Sequence, residues 1–171
     1  MRRICSFLAS AALLAFAGVS HAQVPRGFTP QGADQQRLES NRGLSDSHYQ
    51  SGVKALEAGN LQVAEGIFDE VLRENPNHPD ANLRMGAVKM SLGKWDEAKK
   101  YLEIAARKDP KSPDPKSRLA VTLIKLGDIP GAMEQRDALE KMDKSCKGKC
   151  RNAEWIARGI AMVDAAMPPK P

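Results

Sequence analysis

The sequence predicts an all-α solenoid: three stacked helix hairpins followed by a C-terminal capping helix. Three observations carry this reading. Gly59, Gly93 and Gly127 lie 34 residues apart, and Ala64, Ala98 and Ala132 keep the same step. So do the small residues Gly52, Gly86 and Ala120 and the acids Asp46, Asp80 and Asp114. Pro76 and Pro110 follow the period too, although Lys144 stands where a third proline would fall. Unrelated positions that coincide at one period mark a repeat architecture. A helix hairpin cannot bury its apolar face alone, so such units must stack.

The chain opens on Met1-Arg2-Arg3, an apolar stretch from Ile4 to Val19, and Ser20-His21-Ala22-Gln23. A cationic start, a short apolar run and small residues before a cleavage point make residues 1–22 a secretory signal peptide, cut between Ala22 and Gln23. The run is too short, and too rich in Ala, Ser and Gly, to span a bilayer. Cys5 lies too early to be a lipid attachment site. The short Ala-rich signal points to a bacterial periplasm, or to the outside of the cell. About 150 residues remain after cleavage, one domain's worth. Cleavage also removes two arginines and no acid, lowering a net charge of only +5, and aromatics are 5% of the chain. Nucleic-acid readers carry a strong basic stripe and stacking aromatics, so no nucleic-acid partner is expected.

Residues 23–44 mix Pro, Gly, Gln, Asn and Ser with little apolar periodicity and are expected to be poorly ordered, although Val24, Phe28 and Leu38 offer an apolar face that could dock. Apolar periodicity and stop signals then predict helices over 47–58, 61–74, 81–92, 95–108, 115–126 and 130–143. Gly59, Gly93 and Gly127 end the first helix of each hairpin, because glycine takes the left-handed conformation without penalty. Asp46, Asp80 and Asp114 complement the dipole in its first turn. The small pairs Gly52 with Ala64, Gly86 with Ala98, and Ala120 with Ala132 let the two helices approach. Pro76 and Pro110 stop the second helix. A seventh helix, over about 152–166, is expected to cap the array by packing Trp155, Ile156, Ile160, Met162 and Val163, and Met167 to Pro171 form a Pro-rich tail.

The stretch Gly52 … Gly59-Asn60-Leu61 … Ala64 … Phe68 … Pro76 resembles the tetratricopeptide repeat. The unit Met85-Gly86 … Gly93-Lys94-Trp95-Asp96-Glu97-Ala98 … Leu102 … Ala105 … Asp109-Pro110 is closer still. The third unit matches through Leu119-Ala120 … Leu126-Gly127-Asp128 … Ala132 and then departs, with Arg136 where a large apolar residue is expected. The units run over about 45–78, 79–112 and 113–144. The resemblance implies a concave groove lined by the first helices, which holds a partner's peptide. Carried over by register, the lining is Tyr49, Leu83 and Ser117; Gln50, Arg84 and Arg118; Val53, Ala87 and Val121; and Leu56, Met90 and Ile124. Met90 would adapt to varied partners, and Arg84 and Arg118 could meet a carboxylate. Tyr49 and Val53 stand where some family members carry a Lys and Asn carboxylate clamp, so that clamp is not expected.

Without Cys5 the chain keeps Cys146 and Cys150, an even count that points to a disulfide in an exported protein. The segment 145–166 then forms a disulfide loop and the cap. Lysines flanking the pair would favour thiolates, but the three-residue spacer and missing βαβ context disfavour a redox site. His48 and His78 have no suitable spacing to complete a zinc site with the cysteines. His48 falls at a repeat position that normally packs and is expected to be partly buried; His78 and Asp80 read as ordinary helix-start residues. No cofactor, metal or catalytic residue is expected. The basic cluster Lys141, Lys144, Lys147, Lys149 and Arg151 reads as a solvated face that could attract an acidic partner or an anionic membrane surface, although membrane contact is not expected. The function expected is that of a protein-binding adaptor or scaffold and not an enzyme. A thiol–disulfide protein using Cys146 and Cys150, and a structural subunit whose groove is filled in an oligomer, stay open as alternatives.

Overall fold

The computed structural model describes residues 46–169. The signal peptide, the 23–44 segment and the last two residues of the tail lie outside the described residues. Among the described residues the chain forms seven helices and no strand. They are α1 (46–57), α2 (Leu61–Glu74), α3 (Pro79–Ser91), α4 (Trp95–Lys108), α5 (Pro113–Lys125), α6 (Ile129–Cys146) and α7 (Ala153–Ala166). Each helix from α2 onward packs on the next, while α3 touches α5 and α5 touches α7, so the first helices of successive hairpins lie side by side.

The period is visible in the backbone. Gly59, Gly93 and Gly127 have φ of 75°, 71° and 81°. In each case the following N–H donates back five residues, from Asn60 to Ala55 O, Lys94 to Lys89 O and Asp128 to Leu123 O, each at 2.9 Å. This is the Schellman closure, which only glycine makes without cost. Helices α3 and α5 begin two residues earlier than the periodicity alone suggests, because Pro79 and Pro113 occupy the first helical turn, where a missing N–H costs nothing.

Close approach inside the hairpins depends on the small residues. A Cβ added to Gly52 would lie 2.7 Å from Phe68, and one added to Gly86 would lie 2.6 Å from Leu102. Both large side chains are fully buried. They pack in two apolar clusters, one around Ala64, Phe68, Met85 and Val88 and the other around Leu83, Leu102, Leu119, Leu123 and Leu139. Burial of a Phe or Leu at such a site contributes about 1.5–3 kcal/mol.

The turns between hairpins are locked by one column that the sequence reading passed over. Asn82 Nδ2 donates to Pro76 O (3.0 Å) and His78 O (2.8 Å). One period later Lys116 Nζ donates to Pro110 O (2.6 Å) and Ser112 O (3.4 Å). His48 heads the same column yet is exposed, against expectation. The residues one period before Pro76 and His78 are 42 and 44, outside the described residues.

The third hairpin departs where its sequence does. With no proline at 144, α6 runs past residue 143 to Cys146 and stops at Lys147 (φ 50°) and Gly148 (φ 70°). Arg136 is no defect in the packing. Its Nε donates to Asp164 Oδ1 on α7 at 2.5 Å, and Nη1 donates to Glu140, while the fully buried Leu139 fills the core instead. The sulfurs of Cys146 and Cys150 stand 2.00 Å apart across a Cα–Cα distance of 5.1 Å. The tail is not loose from its start, because Met167 packs against the second cluster.

Candidate binding surface

The first helix of each hairpin presents one face to its own partner helix and another away from it. The outward faces of α1, α3 and α5 carry the residues expected to line a groove, and the structure sorts those residues. Gln50 is exposed; Tyr49, Val53, Leu56, Arg84, Ala87, Met90, Arg118, Val121 and Ile124 are half-buried. Leu83 and Ser117 are buried, so neither offers surface to a ligand. Leu83 belongs to the apolar core. Ser117 lies under α7, where an added Cβ on Gly159 would stand 3.2 Å from it, and its hydroxyl donates to Asp114 O at 2.9 Å.

Tyr49 stacks on His78 with ring centroids 5.4 Å apart and tilts against Phe68 at 6.0 Å. His78 in turn caps α3, its Nδ1 accepting from Ala81 N at 3.2 Å. Arg84 sits at the centre. Burial acts to lower its pKa, but the Tyr49 oxygen, Asp114 and Asp80 outweigh burial and hold it above the ordinary arginine value. Among the described residues, Arg84 Nε is a buried side-chain nitrogen with no hydrogen-bond partner. Such an orphan donor calls for an acceptor. Arg118 is engaged, its Nε donating to Asp114 Oδ1 at 2.8 Å.

The surface continues where the sequence reading placed only a cap. Helix α7 buries Ile156, Gly159 and Val163 against α5 and α6. Trp155 and Met162, expected to pack, are instead 57% and 37% exposed. The guanidinium of Arg158 lies 5.3 Å over the Trp155 ring and pairs with Glu154. A cleft of about 170 Å³ runs between α5 and α7, lined by Asp114, Arg118, Trp155, Arg158 and Met162 among others. The signal that could have found this was the double stripe on α7. Positions 156, 159 and 163 form one helical face and 155, 158 and 162 a second, and a helix end-capping an array can bury only one of them.

Among the described residues no group of three or more His, Cys, Asp and Glu side chains could hold a metal ion. No helix there is long and apolar enough to cross a membrane.

Helix hairpins of one fixed period, stacked so that their first helices share a surface, define a repeat solenoid. The tetratricopeptide repeat model matches over residues 55–114 and 90–146, more than half of the chain, and the chain belongs to that family. No curated protein sequence matches it significantly. Solved structures with the same fold include the type III secretion translocator chaperone SycD of Yersinia enterocolitica, with a TM-score of 0.62 and 19% identity over 76% of this chain and 95% of that one. PcrH of Pseudomonas aeruginosa has a TM-score of 0.63 and 23% identity over 72% and 92%. The TPR2B domain of yeast Sti1 has 0.60 and 18% over 72% and 98%.

Proposed function

We propose that the protein is a non-enzymatic adaptor that holds a peptide of a partner protein on the surface shared by α1, α3, α5 and α7. The observation that carries this is the exposed Trp155 and Met162 beside Arg118 and Arg158, together with Arg84 on α3, whose buried Nε has no hydrogen-bond partner among the described residues. Aromatic and arginine side chains are enriched at binding hot spots. Exposed apolar side chains rimmed by charge mark interaction sites. Relatives by fold support the mode of binding: PcrH has been solved with the chaperone-binding regions of PopB and PopD, and the Sti1 domain with an Hsp70 segment. The N-terminal sequence supports export to a bacterial periplasm or beyond, with cleavage after Ala22. In that compartment Cys146 and Cys150 form a lasting disulfide whose work is to fix the approach of α7. The Cα–Cα distance of 5.1 Å lies inside the range a disulfide needs.

The test is photo-crosslinking in cells from a probe at Met90 or Trp155, with exposed Glu103 on α4 as the control, and mass spectrometry of the adducts. One discrete partner captured at both positions and absent at Glu103 is the expected outcome. Capture of the protein's own N-terminal segment, or equal capture at Glu103, overturns the reading.

A further inference from the structure

A second and wider opening lies away from the surface of the first helices. This cleft of about 380 Å³ sits beside the first turn of α7, with Pro110, Met142, Cys146, Cys150 and Ile156 among its walls and Lys111 lining it too. Ser145 and Asn152 add polar groups to these apolar and sulfur walls, and the segments that supply them are cationic. Lys147 and Lys149 occupy the loop between the two cysteines, and Arg151 lies between Cys150 and Asn152, all three exposed. Lys144, on α6 just before Cys146, pairs loosely with Glu140 at 3.7 Å. The opposing acids in these segments are Asp109, Glu140, Asp143 and Glu154, the last paired with Arg158. Asp109 is partly occupied, accepting from the Lys111 N–H at 3.3 Å. A positive excess therefore surrounds the apolar patch that Pro110, Met142 and Ile156 offer.

The cleft is also held in shape. The Lys116 Nζ bond to Pro110 O fixes one wall, and the Cys146–Cys150 link fixes another. Asn152 lines both this cleft and a neighbouring one of about 200 Å³, where Asp114 and Trp155 lead on to the surface between α5 and α7. The two clefts therefore adjoin at Asn152.

We propose that this cleft is a second docking site, which takes an acidic peptide segment by seating one aliphatic side chain against Pro110, Met142 and Ile156 while Lys111, Lys147 and Lys149 receive its carboxylates. It goes beyond the peptide surface of the first helices and rests on that reading only for the idea that both segments come from one partner. Complementary charge around an apolar anchor gives orientation and speeds encounter.

Methionine reporters separate the two sites, since Met142 lines the cleft and Met90 lies on α3. With the protein labelled at its methionine methyl carbons, a peptide of glutamates with leucine at every third position is titrated in at low salt. The expected result is a saturable shift of the Met142 methyl with Met90 unmoved. The shift should disappear when lysine replaces every glutamate of the probe, and affinity should fall about tenfold in a Lys111→Glu/Lys149→Glu variant. Both positions are exposed, and an unchanged set of the other methyl signals shows that the variant is folded. A Met142 methyl that stays still at saturating probe, or that shifts equally with the lysine peptide, overturns the proposal. A shift confined to Met90 overturns it too, while leaving the surface of the first helices supported.

Discussion

Replacing Gly86 with alanine tests whether helix contact inside the hairpins is set by the small residue at that position. The new methyl would stand 2.6 Å from Leu102 Cγ and 2.7 Å from Cδ2. Leu102 is fully buried and cannot swing clear. Overpacking of this kind costs about 1–3 kcal/mol. The higher helix propensity of alanine returns about 1 kcal/mol, so a net loss of about 1 kcal/mol is expected. Leu102→Ala opens a cavity and should cost about 2–5 kcal/mol. In the double variant the methyl added at position 86 enters space that Leu102 has vacated, and the clash is gone. The two losses should therefore fall short of their sum by about 1–2 kcal/mol. Urea denaturation of the wild type, both single variants and the double, followed by far-UV circular dichroism, measures all four corners of the cycle. Additivity within about 0.5 kcal/mol, or a stabilised Gly86→Ala protein, would refute the contact as the determinant. The third hairpin is nature's version of the relaxed case, with Ala120 where Gly52 and Gly86 stand and no large apolar residue one period after Leu102.

Other expectations follow from the ion pairs and the backbone. Lys89 is buried between Glu65 (2.6 Å) and Glu97, whose side chains reach water. Lys89→Met should therefore leave stability within about 1 kcal/mol of wild type, whereas Glu65→Gln, which leaves the buried ammonium only Glu97 as a charged partner, should lower the melting temperature further. Hydrogen bonds from Arg136 hold the Asp164 carboxyl below its ordinary value of 3.8. Asp164 thus binds a proton more readily unfolded than folded, so its contribution is fully present above about pH 4 and is lost as pH falls through the depressed folded value. An Asp164→Asn variant should show a shallower loss of α7 protection in acid, by hydrogen exchange, than wild type. Lys147 holds a left-handed φ of 50° as the C-cap of α6. Lys147→Gly should raise stability by about 1 kcal/mol in the same urea assay. Trp155→Ala, at an exposed site, should leave the melting temperature almost unchanged and abolish crosslinking of the partner from Met90.

Much of the architecture was legible because its determinants are local and repeat. A glycine that must take positive φ declares itself at every period, and a proline that stops a helix and a glycine opposite a large apolar residue declare themselves in the first two, which is why α2 and α4 begin and end at the expected residues. The residues that went astray are those whose fate depends on a neighbour the period does not describe. Ser117 shares a column with Tyr49 and Leu83, yet it is covered because α7 lies over it. One further step of 34 from Ala120 falls on Glu154, which is exposed, while the small residue that α7 presses on Ser117 is Gly159. The inserted cysteine loop has shifted the register, and carrying the repeat pattern past residue 144 therefore misassigns every face of the last helix. That shift has a functional consequence. It lets α7 bury Ile156, Gly159 and Val163 while turning Trp155, Arg158 and Met162 onto the surface of the first helices. It also lets Asp164 meet Arg136, which stands where the third repeat lacks its large apolar residue. The departures at Lys144, Arg136 and the cysteine pair are thus a single adaptation. Together they end the repeat and make the helix that closes the array a further wall of the proposed binding surface.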